Sequence, residues 1–171
     1  DISRDDVERL RRAYFNQVHH VDRACKELLD ALEEHALLEN TIVFFVSDHG
    51  ESLFDDGIHL GHGILLNDVM TQSLMVVVNA PRPVPRRLSH YHLRHLIREM
   101  LTREATTAQI VDRAEHFVLQ FLGSPSSPRR IALREGPGRT VYDFKRDVGW
   151  WDDGTTPRSQ TQTTRHEMLI D

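Results

Sequence analysis

The segment Thr41-Ile-Val-Phe-Phe-Val-Ser-Asp-His-Gly50 gives the clearest indication of the fold class of this chain. Residues 41–46 are a continuous run of β-branched and apolar side chains. A strand that is apolar on both faces is typical of a parallel sheet covered by helices on each side. Asp48 and His49 follow directly, at the carboxyl end of the predicted strand. Because ligands bind at that edge in open α/β sheets, this pair is the first candidate site.

The residues before this stretch predict one long amphipathic helix. Ser3 and Asp6 have the spacing of a helix N-cap, in which side chains satisfy free backbone amides. We place the helix at residues 4–34, with one side facing a core. Its apolar positions recur at steps of three and four, and we expect the Cys25 thiol among them to lie in the core. They are Tyr14, Val18, Val21, Cys25, Leu28, Leu29 and Leu32.

The residues after the stretch predict an α/β domain. Residues 51–63 are rich in glycine, acids and histidine, which indicates an ordered site loop. A second apolar run at residues 74–78 predicts another buried strand. We expect the two strands to be central neighbours or near neighbours in a three-layer α/β/α sheet like that of alkaline phosphatase, with the long helix packed across one face.

The C-terminal half predicts two further helices and a small β-hairpin. Helical periodicity marks residues 91–100 and 108–122. Strand-like segments at residues 131–135 and 139–144 flank the turn residues Gly136-Pro-Gly138. A hairpin is therefore expected at this point of the chain.

The composition changes after Trp151 to polar and small residues that have little to bury. We expect a loose tail there. The predicted organisation has three parts: the C-terminal portion of an α/β catalytic domain at residues 1–123, a β-hairpin extension at 124–151 and the tail at 152–171.

The overall composition excludes several function classes. A formal charge of -5 argues against a phosphate-backbone binder, so nucleic acid is not an expected partner. The longest apolar runs have strand length, and no signal peptide opens the chain. The single cysteine forms no intrachain disulfide and says little about compartment.

The pair of Asp48 and His49 offers one carboxylate oxygen and one imidazole nitrogen at the strand end. Both are good ligands for zinc, manganese or a similar divalent ion. Two ligands do not complete a site, and such a dipeptide is common. The alternative interpretation is a capped strand end with a surface histidine.

Four sequence blocks give this pair a context. They are Tyr14-Phe-Asn-Gln-Val-His-His-Val-Asp22, Leu28-Leu-Asp-Ala-Leu32, Leu38-Glu-Asn-Thr-Ile-Val43 and Val46-Ser-Asp-His-Gly-Glu51. In order and spacing they resemble the C-terminal half of the catalytic domain of sulfatases, in the alkaline phosphatase superfamily. The resemblance implies that Asp48 and His49 ligate an active-site divalent metal ion, whether Ca, Mn or Zn. Residues 47–53 are also similar to phosphoethanolamine transferases, which share the fold and use zinc.

A histidine between two glycines is the second candidate. The block Gly61-His-Gly63, followed by Leu66-Asn-Asp-Val69, matches the place where these families have a histidine that touches sulfate or phosphate. The resemblance implies that His62 is catalytic, since it could donate a hydrogen bond to the transferred group or protonate the leaving oxygen. The alternative is a turn histidine, and His59 is a competitor for the role. A carboxylate at Glu51 more often caps a helix or pairs with arginine, so it stays outside the predicted catalytic set.

Departures from the family's sequence pattern limit which of its site residues can be assigned to this chain. Sulfatases carry an early Cys-x-Pro-x-Arg or Ser-x-Pro-x-Arg segment whose first residue becomes the nucleophile, and transferases use an early threonine. We expect neither segment in this chain, and the family's acidic ligands from the first strand are absent as well. Residues 71–73 also read Thr-Gln-Ser where many relatives have Arg-x-Pro. We therefore expect the nucleophile upstream of Asp1, and an isolated chain that is inactive.

The predicted function is a fragment of a metal-dependent hydrolase acting on sulfate esters or related phosphoesters. One alternative is a periplasmic phosphoethanolamine-type transferase domain, and another is a noncatalytic interaction domain with a sulfatase fold. A typical bacterial parent would be extracytoplasmic or membrane-tethered, with the membrane reached only through an N-terminal part outside this chain. An incomplete sheet would expose apolar surface, which predicts a homo-oligomer.

Overall fold

The computed structural model describes residues 2–55, 57–102, 117–124, 126–135, 138–152 and 162–163. It contains helices and sheets, as the predicted α/β class requires. Within these ranges no helix is both long and apolar enough to cross a membrane.

The first helix, α1 (Arg4–Glu34), has the predicted bounds. A capping box begins it: the Ser3 hydroxyl accepts from the Asp6 amide at 3.2 Å, and the Asp6 carboxylate accepts from the Ser3 amide at 3.3 Å. No described residue of α1 is buried, and Cys25 is half-buried. The prediction that the apolar stripe faces a core is therefore wrong within the described structure.

A short 3-10 helix (Leu38–Asn40) leads into strand β1 (Val43–Val46). Its partner β4 (Met75–Val78) pairs with it in the register Val43↔Val78 to Val46↔Met75. The two predicted strands are thus neighbours.

The direction and burial of this strand pair differ from the prediction. The strands are antiparallel, and their sheet has only two strands among the described residues. Their side chains are half-buried or exposed, as at Val76. An apolar run fixes the tendency to form a strand, whereas direction and coverage depend on chain connections and neighbours that the run does not encode.

The loop at residues 51–63 is an ordered hairpin in its described residues. Strands β2 (Ser52–Leu53) and β3 (Leu60–Gly61) pair in the register Ser52↔Gly61 and Leu53↔Leu60. The Ser52 side chain is buried, and its hydroxyl donates to the His59 carbonyl at 2.8 Å. Helix α1 is tied to this hairpin because the Arg11 Nε donates to the Leu53 carbonyl at 3.0 Å.

Helix α2 (Asp68–Thr71) and helix α3 (His90–Thr102) follow the hairpin in the chain, on either side of β4. Asn67 caps α2 by accepting from the Met70 amide at 3.0 Å. Helix α3 confirms the helix predicted at residues 91–100. The ion pair of Arg82 with the buried Glu99, at 3.1 Å, connects this helix to the chain between β4 and α3.

The C-terminal part is an antiparallel sheet of five strands among the described residues. The strands follow one another in chain order: β5 (Phe117–Ser124), β6 (Ser127–Glu135), β7 (Gly138–Asp143), β8 (Val148–Asp152) and β9 (Gln162–Thr163). The predicted hairpin is confirmed as β6 and β7, within a larger sheet than expected. Residues 162–163 pair with β8, so they are not loose, and the rest of the predicted tail beyond Asp152 lies outside the described residues.

Strand β5 corrects the helix predicted at residues 108–122. Residues 117–122 are extended, and residues 108–116 lie outside the described part. Along β5 the burial alternates, with Leu119 and Phe121 exposed and their neighbours half-buried. A short apolar run fits both helical and strand periodicity, and pairing with β6 decides between them.

The described core lies where the five-stranded sheet meets the segment before α2. Leu66 packs with Ala132 and Val141, and Leu122 and Trp150 lie against this cluster. The buried Arg139 also donates to the Leu66 carbonyl. The sheet therefore supports the segment that directly follows His62. The predicted domain division at residue 123 stays a prediction.

Candidate functional site

The segment of Ser47 to Gly50 is held at the end of β1 by backbone contacts on two sides. The Ser47 amide donates to the Leu74 carbonyl at 3.0 Å, and the Ser47 hydroxyl accepts from the Leu74 amide at 2.8 Å. The Gly50 amide donates to the Met70 carbonyl at 3.1 Å. Asp48 and His49 therefore leave the strand from a fixed backbone.

Gly50 is needed because α2 approaches its backbone closely. A Cβ at this position would lie 2.1 Å from the Val69 carbonyl oxygen and 2.8 Å from that of Gln72. Both are backbone atoms, which cannot move away as a flexible side chain can. Only glycine permits this packing of the site segment against α2.

His49 has a defined ring orientation. Its Nδ1 donates to the Gly50 carbonyl at 2.9 Å, which leaves Nε2 with a lone pair when the ring is neutral. The Asp48 carboxylate accepts from the His49 amide at 2.9 Å, and its second oxygen lies 3.5 Å from His49 Nε2. The Asp48 side chain is 84% exposed. The carboxylate thus stands at the rim beside the imidazole nitrogen.

The hairpin brings His62 onto this segment. The His62 ring stacks on the His49 ring, with centroids 3.9 Å apart and planes inclined by 33°. His62 Nδ1 donates to Glu51 Oε2 at 2.9 Å. With one ligand atom each, His49, Glu51 and His62 lie within 4.8 Å of one another. They are the metal-capable cluster of the described structure.

The outcome for the predicted site residues is mixed. His49 and His62, thirteen positions apart, are brought together, whereas Asp48 is adjacent to the cluster and not part of it. His59 is half-buried, and it too is not part of the cluster. Its backbone carbonyl accepts hydrogen bonds from the Ser52 hydroxyl and the Phe54 amide in the hairpin. Glu51 belongs to the cluster although the predicted catalytic set does not include it. The register of β2 and β3 explains why Glu51 belongs here, because it places residues 51 and 62 opposite each other.

A further histidine, His90 of helix α3, contacts the segment of Ser47 to Gly50. His90 Nε2 donates to the Ser47 carbonyl at 2.9 Å, so α3 is fastened directly before Asp48. Two residues later, burial lowers the pKa of His92 and the charge of His95 lowers it further. His92 therefore stays neutral at neutral pH, with its Nδ1 2.9 Å from the Ser89 hydroxyl.

One match to the nucleophile pattern corrects the expectation that the chain contains none, and it lies late in the chain. Residues 126–130 read Ser-Ser-Pro-Arg-Arg, which fits Ser-x-Pro-x-Arg in letters. Ser126 is exposed in the turn between β5 and β6, and the Arg130 Nε donates to Asp143 at 2.7 Å within the sheet. The match follows Asp48 in the chain, whereas the family segment precedes it, so it does not supply the expected nucleophile.

Comparison with known proteins defines the class. The model of the family described as Sulfatase matches residues 2–96, which is more than half of the chain. The chain belongs to the sulfatase family. Helices α1 and α2, strands β1 to β4 and the cluster of His49, Glu51 and His62 lie inside the matched region, and the five-stranded sheet lies beyond it.

Several curated sulfatases are similar to parts of this chain. A choline-sulfatase of Rhizobium meliloti (strain 1021) is 38% identical over 58 residues, 34% of this chain and 11% of that protein. An arylsulfatase of Clostridium perfringens (strain 13 / Type A) is 39% identical over 54 residues, 32% of this chain and 11% of that protein. Arylsulfatase K of Canis lupus familiaris is 28% identical over 126 residues, 60% of this chain and 24% of that protein. The matched part of the chain thus spans about a quarter or less of these relatives' length.

Proposed function

We propose that this chain supplies metal ligands and a sulfate-contacting histidine to the active site of a sulfuric ester hydrolase. The observation that carries the proposal is the cluster of His49, Glu51 and His62, within 4.8 Å, next to Asp48 at the end of β1. His49 and the adjacent Asp48 offer an imidazole nitrogen and a carboxylate oxygen to a divalent ion, and the cluster places His62 and Glu51 directly beside them.

The donor set bears on the identity of the metal. Ca²⁺ takes oxygen ligands almost alone and manganese favours them, whereas imidazole suits zinc and similar transition metals. With His49 as a ligand beside the Asp48 carboxylate, zinc fits these residues better than calcium. A bound ion would supply positive charge that stabilises the transferred group and the leaving oxygen.

The residues divide into ligands and a substrate contact in this proposal. Asp48 and His49 bind the metal, because they leave the strand together and the Asp48 carboxylate lies 3.5 Å from His49 Nε2. His62 contacts the transferred sulfate, and Glu51 holds its ring. The hydrogen bond to Glu51 uses Nδ1, so Nε2 can face the substrate. The nucleophile would come from sequence of a longer protein.

Sulfate esters are the favoured substrate class. The relatives reported above are sulfatases by name, which supports sulfate-ester hydrolysis over phosphoethanolamine transfer. The noncatalytic alternative predicts that no divalent ion binds. An extracytoplasmic or membrane-tethered location remains part of the proposal.

Metal titration of the chain tests the proposal. Zn²⁺, Mn²⁺ and Ca²⁺ would each be titrated by calorimetry into the wild-type chain and into Asp48→Asn and His49→Gln. Asp22→Asn and His20→Gln, on the exposed face of α1, repeat the same chemical changes away from the site. We expect zinc or manganese to bind, and each site variant to weaken binding by about tenfold or more. Absence of binding, or equal losses in the α1 controls, would contradict the proposal.

A further inference from the structure

A side chain of helix α3 holds the peptide bond that directly precedes Asp48. The Ser47 carbonyl oxygen accepts from His90 Nε2 at 2.9 Å, across 43 positions of the sequence. Because a peptide bond is planar, the direction of this oxygen also sets the direction of the Asp48 amide. The His90 contact therefore fixes the backbone from which the side chains of Asp48 and His49 start.

The other two polar groups of Ser47 belong to the pairing of the strands. Its amide donates to the Leu74 carbonyl at 3.0 Å, and its hydroxyl accepts from the Leu74 amide at 2.8 Å. These contacts hold Ser47 to the residue before β4. The carbonyl is held from a different element, helix α3, so the amide, the hydroxyl and the carbonyl of Ser47 are all bonded.

The pair of Asp48 and His49 thus lies between two anchors. The His90 contact precedes the pair, and after it the Gly50 amide donates to the Met70 carbonyl of α2 at 3.1 Å. The anchor on α2 joins two backbone groups, whereas the anchor on α3 depends on one imidazole. A substitution of His90 can therefore change the position of the pair while the α2 anchor is kept.

Helix α3 is a firm support for this contact. Its residues Leu96 and Met100 are buried, and the His92 amide donates to the Ser89 carbonyl at 2.9 Å in the turn around His90. The His90 side chain itself is exposed, so its replacement leaves no void in a core. The hydrogen bond can thus be removed without loss of the packing that holds the helix.

We propose that His90 is a positioning residue for the metal ligands Asp48 and His49. It acts through the Ser47 carbonyl and not by contact with the metal or the substrate. The Asp48 side chain is 84% exposed, so its backbone decides where the carboxylate starts. Ligands held in a fixed geometry lose less freedom when an ion binds, and affinity rises accordingly. The inference rests on the proposed function, which places the metal at this pair.

Three variants separate the hydrogen bond from the imidazole ring. His90→Leu removes the donor, whereas His90→Gln can restore it, because the amide nitrogen of glutamine reaches about as far as Nε2 of histidine. His95→Leu makes the same change as His90→Leu at an exposed position of the same helix. His90→Ala also removes the donor and adds no apolar surface, so it repeats the test if His90→Leu aggregates.

The first measurement needs no metal. In isotope-labelled chain, the NMR shifts of the Ser47 carbonyl carbon and the Asp48 amide nitrogen report on the hydrogen bond to His90. We expect His90→Leu to move both signals and to weaken the contact between the rings of His49 and His62. His90→Gln and His95→Leu should stay close to the wild-type values.

Zinc titration by calorimetry then measures the consequence for the ligands. His90→Leu should weaken zinc binding about fivefold, which corresponds to the contribution of one hydrogen bond. His90→Gln should restore the affinity to within about twofold, and His95→Leu should leave it unchanged. Wild-type shifts in His90→Leu, no recovery in His90→Gln, or an equal loss in His95→Leu would overturn the proposal.

Failure of the proposed function gives a different result. The wild-type chain would then bind no zinc, while its NMR shifts could still be compared with those of the variants. Moved shifts in His90→Leu alone would support the role of His90 in holding the pair of Asp48 and His49. Unmoved shifts would overturn that role as well.

Discussion

The Nδ1 atom of His62 lies 2.9 Å from Oε2 of Glu51, and the hairpin register accounts for the contact. Ser52 pairs with Gly61, so the next residue outward on each strand faces the other. The two residues flank the hairpin ends and extend toward His49. A carboxylate that holds one imidazole nitrogen fixes the ring and leaves the other nitrogen for chemistry.

Removing the Glu51 acceptor should change the tautomer of His62. For the neutral His62 ring of the wild-type chain we expect the Nδ1–H form, because Glu51 accepts that hydrogen bond. Glu51→Leu should shift His62 toward the Nε2–H form, whereas Glu51→Gln should retain the wild-type form through its amide oxygen. Long-range proton–nitrogen NMR of the His62 ring measures this. An unchanged spectrum in Glu51→Leu would contradict the positioning role.

Gly50→Ala should disrupt the site segment. The new Cβ would meet two backbone carbonyls at 2.1 and 2.8 Å, so α2 or the segment must shift. Gly57→Ala is the matched control, because its Cβ meets nothing within 4 Å and its positive φ of 73° costs only about 1–2 kcal/mol. We expect Gly50→Ala to unfold at clearly lower urea concentration and to lose its His49–His62 ring contact by NMR. Equal stability of the two variants would show that the close approach does not matter.

The sequence predicts best the elements that local patterns determine. Helix α1 follows from its cap at Ser3 and its periodic stripe, and β1 follows from its apolar run. The position of Asp48 and His49 at a strand end follows from the same local reasoning. These features depend on neighbours in sequence, so a single chain is enough to find them.

The rest depends on contacts between distant residues. Strand β5 was predicted as a helix because its residues fit both periods, and only pairing with β6 selects the strand. Arg134 reaches Asp68 across 66 positions, and no local pattern indicates it. Glu51 was set aside for the same reason, since its value depends on hairpin register. Such pairings require knowledge of the tertiary fold.

The Arg130–Asp143 pair should stabilise the five-stranded sheet. Their atoms lie 2.7 Å apart, and the Asp143 side chain is 5% exposed. We expect Asp143→Asn to lower the free energy of unfolding by roughly 2–3 kcal/mol, because the Arg130 charge loses its partner in a largely buried site. Urea denaturation measures the loss. Asp22→Asn, exposed on α1, should change stability by less than about 0.5 kcal/mol.

The same pair gives a pH dependence. Burial raises the pKa of Asp143, but the Arg130 hydrogen bond and charge, with the backbone amides of Arg146 and Lys145, together hold it below its ordinary value of 3.8. A group with a lowered folded-state pKa stabilises above its unfolded value, and the effect is lost as pH falls through the folded value. The stability gap between wild type and Asp143→Asn should therefore be constant above about pH 5 and shrink below about pH 4. A gap independent of pH down to acid unfolding would contradict this assignment.

The exposed apolar side chains of α1 should cause self-association. Phe15 and Val21 are each 62% exposed, and Val18 and Leu28 are nearly half exposed. Apolar surface of this extent favours burial against another molecule. We expect light scattering to show concentration-dependent oligomers that Phe15→Ser combined with Val21→Ser reduces. The control is Leu101→Ser on α3, which removes a side chain that is 70% exposed elsewhere. A stable monomer at all concentrations would contradict the predicted homo-oligomer.

The isolated chain should show background activity toward aryl sulfates and phosphate esters. Positioning by His62 and a metal gives no covalent route without a nucleophile. Turnover that depends on Asp48 in this chain alone would show that the site is complete. A chromogenic sulfate ester, with wild-type chain and Asp48→Ala compared in the same assay, decides between these outcomes.

His62→Gln decides whether His62 acts on the transferred group or binds the metal. We expect a substrate contact, and a full sulfatase that carries this segment should then keep its metal but lose about 10²- to 10⁴-fold in turnover. The stacking of His62 on His49 makes ligation the competing interpretation. Metal analysis of His62→Gln beside Asp48→Asn separates them, since only the Asp48 variant should lose metal. Loss of metal from both variants would make His62 a ligand. Unchanged turnover in His62→Gln would leave it a turn histidine between two glycines.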